Sequence, residues 1–149
     1  MPPRATLALP EGSWGEAGDH RVWLNRDTEW TWDRVYSAEA EWVGHLAGLT
    51  DRNEPELRRV LAQATRELLL LQSSDWQFLI TTGTASDYAE RRVAEHYAEF
   101  KRLCEMARGL ETGAPLSSDA AESLRRLERD DFCFPDLDPA WGLGTRAPH

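Results

Sequence analysis

Residues 55–71 read PELRRVLAQATRELLLL, and their apolar side chains recur every three or four positions. This spacing matches the 3.6-residue turn of an α-helix and places the apolar side chains on one face. Pro55 fits the first turn of such a helix, where a missing N–H breaks no helical hydrogen bond. We therefore predict a central, well-buried amphipathic helix whose apolar stripe consists of Leu57, Val60, Leu61, Ala64, Leu68 and Leu71.

Three more segments have helical spacing. Upstream, apolar residues recur between Asp27, a side chain suited to capping, and Gly48. Downstream, residues 84–109 form a long helical pattern that opens with the composition of a capping box, and residues 117–129 form a shorter, more polar one. We therefore predict three long helices and a short fourth helix.

The two ends of the chain have a different composition. Residues 1–26 are rich in glycine and contain Trp14 and Trp23, while the last nineteen residues, 131–149, contain several prolines and glycines. Residues 73–75 interrupt the central pattern before a short apolar turn, which indicates a kink or a restart.

These patterns predict one all-α domain over residues 1–149. A three-helix bundle with a short fourth helix occupies residues 27–130, between an irregular aromatic loop segment and an irregular tail. No alternation of apolar and polar residues is long enough for a sheet, and no repeat of 20 to 50 residues is present.

The charge of the chain argues against two classes of partner. It has 17 Lys and Arg residues against 26 Asp and Glu, a formal net charge of -9 that is spread along the whole length. Nucleic acids and anionic membranes are bound largely through clustered Lys and Arg, so we expect neither as a partner. The sequence also starts without a secretory signal pattern, and we expect a cytoplasmic protein.

No metal, cofactor or catalytic motif is evident. The four histidines are scattered, without a His-x-x-x-His pair, so we expect no metal site. His96 falls on an apolar stripe and is predicted to lie in the core, and His45 is predicted to lie on a helix surface. Cys104 and Cys133 are interpreted as free thiols. No phosphate-binding loop or esterase motif occurs, and we expect no cofactor and no catalytic residue in this chain.

The seven tryptophans are the informative residues. Trp32 and Trp42 lie on a helical stripe and are predicted to be core residues. Trp14 and Trp23 lie in the glycine-rich segment, where an indole either packs the loop onto the helices or offers a flat face to a ligand such as a sugar. Asp75 follows two serines and either accepts a hydrogen bond from that ligand or caps the next helical turn.

Four segments together resemble the C-terminal helical domain of 1,4-α-glucan branching enzymes of glycoside hydrolase family 57. Their order and separation make the resemblance specific, and it spans nearly the whole chain. The segments are LPEGSWG at residues 9–15, HRVWLN at residues 20–25, ELLLLQSSDW at residues 67–76 and FPDLD at residues 134–138.

The resemblance implies a helical domain that packs on a distorted (β/α)7 barrel and closes one side of its active site. In this family the barrel carries a Glu nucleophile and an Asp acid/base, and the enzyme cuts an α-1,4 linkage and rejoins the glucan as an α-1,6 branch. A barrel needs roughly 200 residues or more, so we expect both carboxylates to be absent and the chain to be inactive alone. The expected partners are an α-1,4-glucan and a catalytic barrel, as a domain or as another chain.

Carried over by position, Trp14 resembles the loop tryptophan that lines the glucan groove, and Trp23 resembles a second aromatic residue of the same wall. Asp75 matches an acidic position that hydrogen-bonds a glucose unit. The expected function is therefore to line a glucan groove in glycogen or α-glucan metabolism. An autonomous helical module that binds glucan or protein without catalysis, or a truncated remnant, remain the alternatives.

Overall fold

The computed structural model describes residues 8–48 and 54–139. Within these ranges the chain forms five α-helices and one 3-10 turn, Glu16–Gly18, and no strand. The helices are α1 (Glu29–Gly48), α2 (Pro55–Leu71), α3 (Asp75–Thr82), α4 (Ser86–Glu111) and α5 (Ser118–Asp130). The predicted all-α fold with three long helices is confirmed.

The core forms where α2 packs along α4, with α1, α3 and α5 around them. Pro55 occupies the first turn of α2, and the Glu54 side chain caps it by accepting hydrogen bonds from the amides of Glu56 and Leu57. All six apolar residues of the predicted α2 stripe are buried, and they meet Val93, Phe100, Leu103, Cys104 and Ala107 of α4.

Of the two alternatives for residues 73–75, a kink or a restart, the structure shows the restart. The apolar turn that follows forms a helix of its own, α3, which ends at Gly83 in the left-handed conformation with φ of 68°. A glycine adopts this conformation without steric cost, so the helix ends there cleanly. The capping box predicted at the start of α4 is not formed, because the N-cap residue is Ala85 and no side chain caps that end.

The irregular segments are irregular in the described residues as well. Residues 8–26 contain only the 3-10 turn as a helical element, and residues 131–139 follow α5 without a further α-helix. The outermost parts of both predicted segments, residues 1–7 and 140–149, lie outside the described residues. In the described ranges, no helix has both the length and the apolar character required to cross a bilayer.

Candidate functional site

The aromatic N-terminal segment is held against α3 and the start of α1. Its Trp23 indole N–H donates to the carbonyl oxygen of Ser74, which immediately precedes α3, at 3.2 Å. Thr81 of α3 donates to the carbonyl of Val22 at 2.7 Å and accepts from the Asn25 amide at 2.8 Å. The short helix α3 therefore supports the loop.

The loop around Trp14 closes on itself. The Ser13 amide donates to the Gly18 carbonyl at 3.0 Å, and the Ser13 hydroxyl donates to the Asp19 carbonyl while it accepts from the Gly15 amide. A β-carbon at Gly15 would lie 2.7 Å from Trp23 Cζ3, a distance that real side chains do not reach. Glycine at this position is what lets the loop pass directly over the Trp23 ring.

This arrangement forms an open groove of about 540 Å³. A volume of this order is typical of small-molecule sites. The walls are mostly aromatic, with hydroxyl and imidazole groups among them, and no carboxylate lines the groove in the described part of the chain. The lining residues are Ser13, Trp14, His20, Trp23, Leu24, Trp32, Tyr36 and Ser74.

Trp14 and Trp23, both predicted as site residues, meet in this groove. Their ring centroids are 5.4 Å apart with the planes at 76°, an edge-to-face pair, and Trp14 also lies 5.7 Å from Phe78. Trp14 is 79% exposed, and its indole N–H has no hydrogen-bond partner in the described ranges. Trp23 is half-buried with its N–H engaged, so Trp14 presents the free ring and Trp23 supports it.

Asp75 lies at the first residue of α3, next to Ser74, but it is not one of the groove-lining residues. Its carboxylate accepts a hydrogen bond from the Ser73 hydroxyl at 3.3 Å and is otherwise exposed. The N-cap residue is Ser74, which makes no side-chain cap, so the capping alternative for Asp75 is wrong. A negative charge in the first turn still favours the helix through its dipole.

The sequence interpretation missed the part of the groove that lies on α1. Trp32, predicted to be a core residue, is half-buried and lines the groove with Tyr36, at 5.8 Å between ring centroids. The core face of α1 consists instead of Val35, Ala38 and Trp42. The sequence did contain a sign of this second face. The apolar residues of α1 cover a wider arc of the helix than one buried face requires, since one face needs only every third or fourth residue.

One buried cluster offers donor atoms that suit a cation. Glu67, His96 and Asp131 come from three separate segments, and their candidate ligand atoms lie within 4.8 Å of one another. His96 Nδ1 lies 2.7 Å from a Glu67 oxygen, Gln63 donates to the other at 2.9 Å, and Arg92 donates to Asp131 at 2.9 Å. These contacts satisfy the carboxylates within the protein, and the guanidinium of Arg92 opposes a cation.

The same cluster confirms His96 as a core residue, 1% exposed. The expectation for His45 is wrong, because its side chain is buried and stacks on Trp42 at 6.2 Å between ring centroids. Burial lowers the pKa of His45, and its Nε2 has no hydrogen-bond partner within the described residues. His45 follows Trp42 by three residues and Ala38 by seven, and this helical spacing places its side chain on the core side of α1.

Comparison with known protein families shows which family the chain belongs to. The model for the C-terminal region of 1,4-α-glucan branching enzymes matches residues 35–141, well over half of the sequence. The chain belongs to this family. The match begins inside α1, so Trp14 and Trp23 lie upstream of it.

Curated branching enzymes resemble this family member over most of its length. The 1,4-α-glucan branching enzyme of Thermococcus kodakarensis is 49% identical over 108 residues, which cover 72% of this chain and 16% of that protein. A probable 1,4-α-glucan branching enzyme of Mycobacterium tuberculosis is 32% identical over 146 residues, covering 89% and 25%. The chain thus spans about a sixth to a quarter of these relatives.

Solved structures agree with the sequence relatives. The GH57-type branching enzyme of Pyrococcus horikoshii superposes with a TM-score of 0.86 at 36% identity, over 100% of this chain and 28% of that one. The GH57 branching enzyme of Thermococcus kodakaraensis, solved in complex with glucose and additives, gives 0.72 at 44% identity, over 81% and 22%. The resemblance to glycoside hydrolase family 57 branching enzymes is confirmed, and the first of these matches includes the aromatic loop.

Proposed function

We propose that this branching-enzyme domain binds an α-1,4-glucan in the groove between the N-terminal loop and α1, and that it does so without catalysing bond cleavage. The observation that carries the proposal is Trp14, a large aromatic side chain that is 79% exposed on a loop closed by its own hydrogen bonds. A pyranose ring presents an apolar C–H face that packs against an indole, while its hydroxyls use nearby polar groups.

A binding role agrees with the chemistry of the groove. Retaining glycoside hydrolysis requires two carboxyl groups about 5–5.5 Å apart across the scissile bond. The groove-lining residues in the described part of the chain include no carboxylate. We therefore assign no catalytic residue to this chain and expect the nucleophile and the acid/base to come from elsewhere.

The site residues have different roles in this proposal. Trp14 stacks on a glucose unit, and Trp23 holds the Trp14 loop in place through its edge contact and its bond to Ser74. Asp75, exposed beside Ser74, is proposed to accept a hydrogen bond from a glucose hydroxyl at the rim of the groove. Glucose in the crystal of the Thermococcus kodakaraensis enzyme supports a sugar as the ligand class.

The proposal includes a catalytic (β/α)7 barrel beside the groove, as a domain or as another chain, in a cytoplasmic enzyme of α-glucan metabolism. Two observations support it. The matched branching enzymes are several times longer than this chain. In addition, Leu24 and Val43 are 58% and 66% exposed, and exposed apolar patches are typical of interfaces.

Affinity electrophoresis of the chain in gels containing soluble amylose tests the binding claim. One wall of aromatic rings supports only a weak affinity, on the order of millimolar or about -4 kcal/mol, so migration should slow as the amylose concentration rises. Trp14→Ala should migrate as if no amylose were present. Because Trp14 is mostly exposed, its removal should leave the bundle folded, which thermal unfolding checks.

Tyr88→Ala is the matched control, since Tyr88 is an exposed aromatic residue of α4 that does not line the groove. It should be retarded as strongly as the wild type. Retardation of Trp14→Ala equal to that of the wild type would show that Trp14 only packs the loop, and the proposed function would be wrong.

A further inference from the structure

The groove extends beyond Trp14 and Trp23 onto the outer face of α1. Trp32 and Tyr36 are one helical turn apart, with ring centroids 5.8 Å apart and planes at 30°. The Trp32 indole N–H donates to the carbonyl oxygen of Trp23 at 2.8 Å, so its ring is fixed relative to the loop. The two aromatic pairs therefore form one continuous surface.

The side chain of Tyr36 is exposed, as expected for a binding residue and unlike a core residue. Its side chain is 61% exposed, whereas Val35 beside it is 3% exposed. Its hydroxyl has no hydrogen-bond partner in the described ranges, although the equivalent group of Tyr97 lies 3.4 Å from Ser37 Oγ. A flat apolar face with a free hydroxyl at its edge matches the two surfaces of a sugar ring.

The size of the groove indicates more than one sugar unit. Its volume of about 540 Å³ lies within the range of about 300–1,000 Å³ that holds drug-sized ligands. A single glucose unit is much smaller than such a ligand. Trp14 and Tyr36 also belong to different elements, the loop and α1, and both line this groove.

We propose that Tyr36, supported by Trp32, forms a second stacking platform, so that the groove holds at least two consecutive units of an α-glucan. This inference rests on the proposed function and adds a length requirement to it. One glucose unit stacks on Trp14 and a neighbouring unit stacks on Tyr36. Trp32 acts as a positioning residue, since its N–H and one side of its ring are already occupied.

Ligand length provides the test. In NMR titrations of the chain, affinity should rise from methyl α-glucoside, which fills one platform, to maltotriose and maltoheptaose, which span both. In Tyr36→Ala, maltotriose and maltoheptaose should bind about three- to tenfold more weakly, as expected for the loss of one aromatic contact, while methyl α-glucoside binds as before. Tyr36→Phe keeps the ring and should retain most of the affinity.

Other results of these titrations would contradict either the second platform or the proposed function. Maltotriose affinity of Tyr36→Ala equal to that of the wild type overturns the second platform, and so does an equal loss for all three sugars, which marks a structural role. Trp14→Ala is run in parallel. If it binds every sugar as tightly as the wild type, the proposed function fails as well, whereas an effect confined to Trp14 leaves the groove with a single platform.

Discussion

Gly15 is the residue on which the geometry of the groove depends most. A β-carbon at this position would meet the Trp23 ring at 2.7 Å and the Val22 side chain at 3.1 Å, and both belong to the segment pinned on α3. The backbone of Gly15 itself is extended, with φ of -66°, so close approach and not backbone strain requires the glycine.

Gly15→Ala should therefore displace the Trp23 ring and weaken sugar binding, with a local cost of about 1–3 kcal/mol typical of overpacking. The Trp23 indole N–H resonance, which reports the hydrogen bond to Ser74, should shift strongly. Gly44→Ala adds the same methyl group at a helical position with no atom within 4 Å and should leave that resonance unchanged. An unchanged Trp23 signal in Gly15→Ala would contradict the described packing.

Asp75 illustrates the limit of inference from residue type. The sequence showed that its carboxylate sits where two serines interrupt a helix, which fits both a cap and a ligand contact. The choice between them depends on where the helix begins. In the structure Asp75 is the first residue of α3, so it is not the N-cap residue, and its carboxylate is exposed.

At the scale of elements, α1 is joined to α4 by a carboxylate clamp. Glu41 accepts hydrogen bonds from Lys101, at 2.5 Å, and from Arg108, and its side chain is 14% exposed. Burial raises the pKa of Glu41, but the hydrogen bonds from the two cations outweigh it and hold the pKa below the usual value of 4.5. The folded state therefore favours the ionised form.

A lowered pKa stabilises the fold above the usual carboxyl value and loses that contribution as the pH falls through the folded-state pKa. Glu41→Gln should lower the melting temperature at pH 7 by roughly 2–4 °C, which corresponds to about 1 kcal/mol for a chain of this size. The difference from the wild type should shrink at acidic pH, as the pH falls through the lowered folded-state pKa and the wild-type carboxylate becomes protonated too. Thermal unfolding followed by circular dichroism measures both.

Glu122→Gln serves as the control, because Glu122 is 65% exposed and, among the described residues, pairs only with Arg125 of its own helix. Exposed pairs of this kind contribute little, so its melting temperature should match the wild type at both pH values. A melting temperature of Glu41→Gln that also matches the wild type at pH 7 would show that the clamp does not join the helices.

The helices were predictable to different degrees. The stripe of α2 and the apolar face of α4 each follow a single helical period, since their apolar residues enter one common core, and both were predicted. α1 has two apolar faces, the core face with Trp42 and the groove face with Trp32. The two faces are neighbours around the helix, where each residue turns by about 100°. A search for residues spaced by three or four therefore assigned both faces to one apolar stripe.

α3 was the other element that sequence reasoning left incomplete. It spans eight residues, too few to establish a period, and serine and aspartate at its start are typical of turns as well as of helix ends. Its importance lies in contacts across about fifty residues of sequence, such as Trp23 with Ser74. Long-range contacts of this kind leave no local pattern to read.

At the scale of the whole molecule, the bundle and the groove are separate structures with separate requirements. The core between α2 and α4 is closed and largely apolar, whereas the aromatic residues of the groove stay accessible on one side of the molecule. The family resemblance predicts Trp14 and Trp23 as walls of a glucan groove; both line the groove of this structure, and glucan binding there stays a prediction. The depth of the groove and its extension along α1 depend on the packing of the loop against α3.

The central claim is that a glucan stacks on Trp14, and the indole N–H resonances of this seven-tryptophan chain measure it directly. In a ¹⁵N-labelled sample titrated with maltoheptaose, the Trp14 signal should move in a saturable way with a dissociation constant on the order of millimolar. The signal of Trp42, which is buried in the core, provides the internal reference and should stay in place. A Trp14 signal that does not move at roughly tens of millimolar maltoheptaose, well above that constant, would contradict the account.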